Sequence, residues 1–149
     1  MDLNKQLEVA IEIACQFHKG QKDRGGLAYI LHPLHVMESV DTVAYKIVAV
    51  LHDIIEDTEV DEEYLLNRGI SEHLVEVISL LTRCEGETYE EYIGHIASNK
   101  IAIEVKLEDL KHNMDLTRLN REITDKDLER NKKYMKAYFY LLSEYVKYW

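Results

Sequence analysis

Three stretches of this 149-residue chain set acid–base and metal-ligating side chains directly beside apolar ones: His32-Pro33, Leu51-His52-Asp53 continuing to Glu56-Asp57-Thr58, and Lys106-Leu107-Glu108-Asp109 continuing to His112-Asn113. A His-Asp pair in apolar surroundings is costly, because a polar group taken out of water without a partner loses about 1–3 kcal/mol and a charged one more. A divalent cation satisfies such groups. Imidazole and carboxylate ligands from separate segments, with no thiolate among them, suit Mn²⁺, Fe²⁺, Zn²⁺ or Mg²⁺ in an open site that keeps positions for water and substrate. The candidate ligands are His32, His52, Asp53 and Asp109. The competing reading gives His52-Asp53 only hydrogen bonds within a core. Glu56 and Asp57, four residues beyond the pair, either stack beside it on one helix or begin an acidic solvent face that runs on into Glu59, Asp61, Glu62 and Glu63. His35, His73 and His95 read as ordinary surface or core histidines.

The elements that must carry these residues are helical, and no segment alternates with a period of two. Leu3, Leu7, Ala10, Ala14 and Phe17 form one stripe, with Gly20 as a stop. A glycine-containing loop follows. Pro33 sits where a helix can begin, which pushes His32 off helical angles and puts it at a helix mouth. Asp41 to Ile55 reads as one mostly buried helix. Asp61–Arg68 closes at Gly69; Ser71, Thr88 and Thr124 are candidate N-caps; Ile101 to Met114 turns Ile103, Leu107, Leu110 and Met114 inward. The last helix is expected to bury Leu128, Met135, Phe139, Leu142 and Val146. Its second stripe of Tyr134, Tyr138, Tyr145, Tyr148 and Trp149 either closes the core or meets another subunit, so a homo-oligomer stays open. The expected fold is all-α, one domain over 1–149 with a C-terminal amphipathic helix over 121–149.

Composition narrows the partners. With 28 acidic against 18 basic side chains, the net charge of −10 argues against DNA, RNA or anionic lipid as a partner. The longest aliphatic run, Ile47 to Leu51, is far short of the roughly 20 residues of a membrane span, and no signal pattern opens the chain, so a cytoplasmic protein is expected. Cys15 and Cys84 form no close pair and read as reduced packing residues rather than a disulfide or zinc site.

Taken in order, His18-Lys19-Gly20-Gln21, Tyr29-Ile30-Leu31-His32-Pro33, Leu51-His52-Asp53-Ile54-Ile55-Glu56-Asp57-Thr58 and Lys106-Leu107-Glu108-Asp109-Leu110-Lys111-His112-Asn113 resemble the HD superfamily, and within it the RelA/SpoT-type alarmone hydrolase domain, over about residues 7–120. The resemblance implies an all-helical HD bundle. It implies Mn²⁺ held by His32, His52, Asp53 and Asp109, hydrolysis tied to Glu56 and Asp57, and a nucleotide lying beside Asn113. The implied substrate is (p)ppGpp, losing its 3′-pyrophosphate. Alternatives are an HD phosphohydrolase of another nucleotide or phosphate ester, and a nucleotide-binding module without turnover. The length leaves no room for a synthetase domain. Where the long enzymes carry Arg-Lys-Ser-Gly, this chain has Asp23-Arg24-Gly25-Gly26, so Arg24 is the candidate to take over a displaced basic contact.

An acidic chain must invert its potential locally to hold a polyphosphate nucleotide. Lys22, Arg24, Lys106 and Lys111 are the candidates for that task. His18 and His112 are candidates to orient the ligands from behind.

Overall fold

Capping chemistry sets the start of most helices. In the computed structural model, which describes residues 1–149, α1 (Leu3–Phe17) is capped by Asp2, α3 (Val43–Val50) by Thr42, α5 (Glu62–Asn67) by Asp61 and α7 (Tyr89–Ile96) by Thr88. In each, the side-chain oxygen accepts a backbone N–H of the first turn, a bond worth about 1 kcal/mol. Asn99 caps α8 (Lys100–Asn113), and Thr124 opens α9 (Asp125–Tyr145) with a capping box closed by Asp127. The remaining α-helices are α2 (Leu31–Glu38), α4 (Ile54–Asp57) and α6 (Glu72–Leu80), with short 3₁₀ turns over Leu116–Leu119 and Val146–Tyr148. There is no strand, only an isolated antiparallel bridge between Lys22 and Ala28, so the expected all-α class holds.

The buried residues form one hydrophobic cluster around α3, whose Ile47, Val48, Ala49 and Val50 are fully inaccessible. α3 packs against α1, α2, α6 and α8; α9 packs against α8. No helix is long and apolar enough to cross a membrane.

Several sequence expectations need correction. Asp41 to Ile55 is not one helix: α3 ends at Val50, and Leu51, His52 and Asp53 form a turn before α4. There the backbone bonds tighten to i−3, from His52 N to Ala49 O at 3.3 Å and from Ile54 N to Leu51 O at 3.1 Å. His32 lies inside α2, not before it. Ser71 flanks α6 without capping it, because its N–H and hydroxyl both donate to Oε1 of the buried Gln6. Gln6 thereby joins Ala10, Ile13 and Ala14 on the inner face of α1, while Leu3 is exposed. Both cysteines are free, as expected, but exposed rather than packed.

The largest correction concerns α9. The expected inward residues Leu128, Met135, Phe139, Leu142 and Val146 are 38–60% exposed. The helix turns Ala137 and Leu141 into the core, flanked by Tyr134, Tyr138 and Tyr145. Tyrosine suits the rim between core and water, because its ring packs while its hydroxyl finds a partner. Tyr145 Oη donates to Glu104 Oε1 at 3.3 Å.

Candidate metal centre and its cleft

Each polar side chain of the cluster is aimed by its own backbone. His32 projects from the first turn of α2, His52 and Asp53 from the turn between α3 and α4, and Asp109 from α8. The four offer ligand atoms that all lie within 4.8 Å of one another, and His32, His52 and Asp109 are buried. The break after Val50 is what brings His52 and Asp53 to one point, since neighbours on a continuous helix diverge by about 100°.

His52 is oriented from behind. Its Nδ1–H donates to Ala49 O at 2.6 Å, which fixes the tautomer and directs the Nε2 lone pair into the cluster. That buried Nε2 has Asp53 Oδ2 at 2.9 Å and Asp109 Oδ1 at 3.3 Å but no hydrogen bond of acceptable geometry. His32 Nε2 lies 2.8 Å from Asp109 Oδ1, and its Nδ1 lies 2.7 Å from Nδ1 of His112. Burial first, then Arg118 and the neighbouring histidines, push the His112 imidazole down to about 4, so it is neutral and accepts from His32. Asp109 is gripped along its own helix: Lys106 Nζ donates at 2.7 Å and Asn113 Nδ2 at 2.9 Å, from positions i−3 and i+4.

The charges are mutually dependent. Burial alone would push the His52 imidazole down and the Asp53 and Asp109 carboxyls up. The ion pairing wins, holding His52 well above the ordinary histidine value and both carboxyls below theirs. A divalent cation fits the same donor set, with two imidazoles, two carboxylates and one orphaned nitrogen converging.

Glu56 and Asp57 part company. Glu56 is exposed and accepts Arg83 N–H at 2.8 Å. Asp57 is exposed too, but it lies beside the cluster: partial desolvation, then Asp53 and Glu56, push its carboxyl up to about 6. Tyr29 donates its hydroxyl to Asp53. Behind it His18 is buried, 5.1 Å ring to ring from Tyr29, with its Nδ1 on Gln21 Oε1 at 2.7 Å; Gln21 Nε2 then donates to Asp57 O.

Beside the cluster opens a cleft of about 300 Å³, lined by Lys22, Arg24, Tyr29 and Asn113, and also by Arg118, Arg130 and Asn131. Sequence reading missed these last three, since nothing in their local pattern separates them from solvated residues. Asp23 shapes the loop, accepting Leu27 N–H at 2.9 Å and facing Arg118 at 3.6 Å. Gly25 is required there: a Cβ would fall 2.0 Å from Arg118 O. Lys106 stays in the cluster, whereas Lys111 pairs with Glu108 at 3.0 Å, away from the cleft. His73 and His95 are exposed, as read; His35 is exposed too but stacks on His112, with centroids 3.8 Å apart.

A helical bundle that converges a His-Asp pair with a further histidine and aspartate defines the HD class of domains. No family model matches the sequence. The bifunctional (p)ppGpp synthase/hydrolase SpoT of Escherichia coli is 32% identical over 128 residues, covering 76% of this chain and 18% of that protein. A GTP pyrophosphokinase of Streptomyces coelicolor is 30% identical over 136 residues, covering 82% of this chain and 16% of that protein. The chain belongs to the RelA/SpoT-type HD hydrolase domains. A solved structure of a metazoan SpoT ortholog that hydrolyzes ppGpp superimposes with a TM-score of 0.77 at 18% identity, covering 92% of this chain and 85% of that one, which shows the shared fold. The chain spans less than a fifth of the length of the curated relatives it matches. Such a fold implies a divalent metal, and the cluster is fit to hold one.

Proposed function

We propose that this chain is a metal-dependent phosphohydrolase that removes the 3′-pyrophosphate of (p)ppGpp, with Mn²⁺ as its cation. The observation that carries the reading is the convergence of His32, His52, Asp53 and Asp109 beside a basic cleft in a chain of net charge −10. The relatives point the same way: the metazoan SpoT ortholog hydrolyzes ppGpp, and a Borreliella burgdorferi relative, 29% identical over 74% of this chain, is named guanosine-3′,5′-bis(diphosphate) 3′-pyrophosphohydrolase.

When bound, a divalent cation polarises a phosphoryl oxygen and lowers the pKa of water from 15.7 toward about 7. The protein's own groups do the rest. Lys22, Arg24, Arg118 and Arg130 hold the phosphates and offset the overall repulsion, and Asn113 hydrogen-bonds the nucleotide. Asp57, poised near 6, takes the proton of the attacking water; general-base help of this kind is worth about 10²–10⁴-fold. The water oxygen bonds to the phosphorus attached to the ribose 3′ oxygen, that 3′ O–P bond breaks, the 3′ oxygen takes up the proton that Asp57 accepted, and guanosine 5′-di- or triphosphate and pyrophosphate leave. Glu56, tied to Arg83, steadies the segment that carries Asp57. Tyr29, His18 and His112 orient Asp53, the loop and His32.

The test is a panel. Mn²⁺-loaded protein is incubated with ppGpp and with nucleoside mono-, di- and triphosphates while pyrophosphate and phosphate release are followed. Pyrophosphate from ppGpp alone is expected. Release from another nucleotide instead would move the substrate within the HD phosphohydrolases, in keeping with the acidic Asp23 in the loop. Binding without any release would make the domain a non-catalytic module.

A further inference from the structure

Outside the metal cluster the chain buries one other carboxylate, Asp127 in the first turn of α9. Part of its work is local. Its Oδ2 accepts the Thr124 backbone N–H at 2.8 Å and the Thr124 hydroxyl at 2.9 Å, which closes the capping box. Capping does not account for the rest. Arg121 grips the carboxylate with both Nη atoms, at 2.7 Å on Oδ2 and 3.1 Å on Oδ1, and Arg130 Nη1 donates to Oδ1 at 3.0 Å. The two guanidiniums are committed differently. Arg121 spends its Nη groups on Asp127 and the Glu122 carbonyl and stands away from the cleft, whereas Arg130 gives Asp127 a single bond, makes no other, and lines the cleft with Lys22, Arg24 and Asn113. Four of the five guanidinium N–H donors of Arg130 are thus left for a ligand. One carboxylate between two cations also leaves one positive charge over. An isolated Asp127–Arg130 pair would cancel the attraction of Arg130 for a phosphate; with Arg121 bound two-pronged to the same carboxylate, it does not.

We propose that Asp127 and Arg121 are positioning residues of the cleft: Asp127 aims the Arg130 guanidinium at the substrate's phosphates, and Arg121 balances Asp127 so that Arg130 meets them as a full cation. The proposal rests on the reading of the cleft as the phosphate site. Neither residue touches the substrate. An arginine fork held in place beforehand loses less conformational freedom on binding, and its planar donors match phosphate oxygens in pairs.

The test uses the full chain, stripped of metal, with GDP as the probe, calorimetry for affinity, and the amide shifts of Asn113 and Asn131 to place the ligand in the cleft. Arg130→Ala should weaken GDP by about tenfold or more, as loss of a charge-assisted bond does. Asp127→Gln, which can still close a capping box, should weaken it severalfold, and Asp127→Glu, which keeps both box and charge, should restore it. In the Arg130→Ala background Asp127→Gln should have no further effect, because Asp127 acts through Arg130. A purely capping role would instead lower Tm in Asp127→Gln and leave affinity alone. Should Asp127→Gln not fold, Arg121→Ala, at a side chain 42% exposed, decides: it should weaken GDP severalfold from outside the cleft. GDP shifts that bypass Asn113 and Asn131, an affinity unchanged in both Asp127→Gln and Arg121→Ala, or an equal loss in Asp127→Gln when Arg130 is already absent would overturn the proposal. Pyrophosphate release from ppGpp by the unaltered chain is measured separately, so failure of the hydrolase reading shows there and failure of the positioning role shows in the ratio of affinities.

Discussion

Two regions hold residues of the opposite polarity to their surroundings: the cluster around His52 buries charge, and the outer face of α9 exposes Leu128, Met135, Phe139 and Val146. The first is tightly constrained. His32, His52, Asp53 and Asp109 each meet at least one other member, and Lys106, Asn113, His112 and Ala49 O hold them from outside. The outer face of α9 is held by nothing beyond its own helix. Buried polarity demands partners of fixed geometry, whereas exposed apolar area costs little when scattered, so only the first feature carries structural information.

The widest separation between the two regions should come from Asp109→Ala. It leaves Lys106 and two histidines without their carboxylate in a dry site, a change that costs about 3–5 kcal/mol when one half of a buried pair is removed. Urea unfolding should show that loss, and metal retention and turnover should vanish with it. Wild-type turnover in this variant would end the assignment of Asp109.

Next in size is the distinction between the two acids after the pair. Asp57→Asn should reduce kcat by about 10²–10⁴-fold while leaving bound metal in place, as loss of a general base does. Glu56→Gln should act indirectly: its amide oxygen can still accept Arg83 N–H, but the lost charge should lower the Asp57 pKa from about 6, since Glu56 is one of the charges that raise it. A side-chain ¹³C titration of the metal-free protein reads that change. A rate loss in Glu56→Gln larger than in Asp57→Asn would reverse the two roles.

Charge coupling in the cluster gives a pH test that the α9 face cannot reproduce. In the metal-free protein His52 has a raised pKa, so its contribution to stability is complete below 6.5, its unfolded value, and is lost as pH rises through the higher folded value. The carboxyls are lowered, so theirs is present above 3.8 and lost as pH falls further. Chelated protein should therefore melt highest between those two limits and lose Tm toward alkaline pH. Mn²⁺ competes with the His52 proton, so its stabilising effect should grow over the same rise. Differential scanning fluorimetry with and without Mn²⁺ measures both slopes; a stabilisation that shrinks as pH rises would contradict the shared site.

The same contrast explains what could be read in advance. The four cluster residues stood out because each lies beside apolar residues, and a polar group so placed must find partners. Helix existence was equally plain from Thr88, Thr124 and the 3.6-residue spacing. The turn at Leu51–Asp53 was not, because Val43 through Ile55 keeps an unbroken helical pattern and only the Ala49 carbonyl, shared between His52 N–H and Nδ1–H, ends it. Arg118 and Arg130 reach the cleft through tertiary packing of α9 and the segment before it, which no local spacing encodes. For α9 the sequence offers two apolar stripes; residue type chose aliphatic, and packing on α8 and α7 chose tyrosine.

That choice gives the smallest expected effect and the sharpest test of the α9 assignment. Leu141 is fully buried and Met135, on the same helix, is 50% exposed. Leu141→Ala should cost about 2–5 kcal/mol, as core truncations do. Met135→Ser should change stability by no more than about 0.5 kcal/mol, because a half-exposed surface side chain loses little on truncation. Paired urea melts at two protein concentrations decide the matter. If Met135→Ser proved as costly as Leu141→Ala, and the cost grew with protein concentration, the outer stripe would be covered by another copy of the chain in solution, and the exposed face of α9 would be an interface instead of an unconstrained surface.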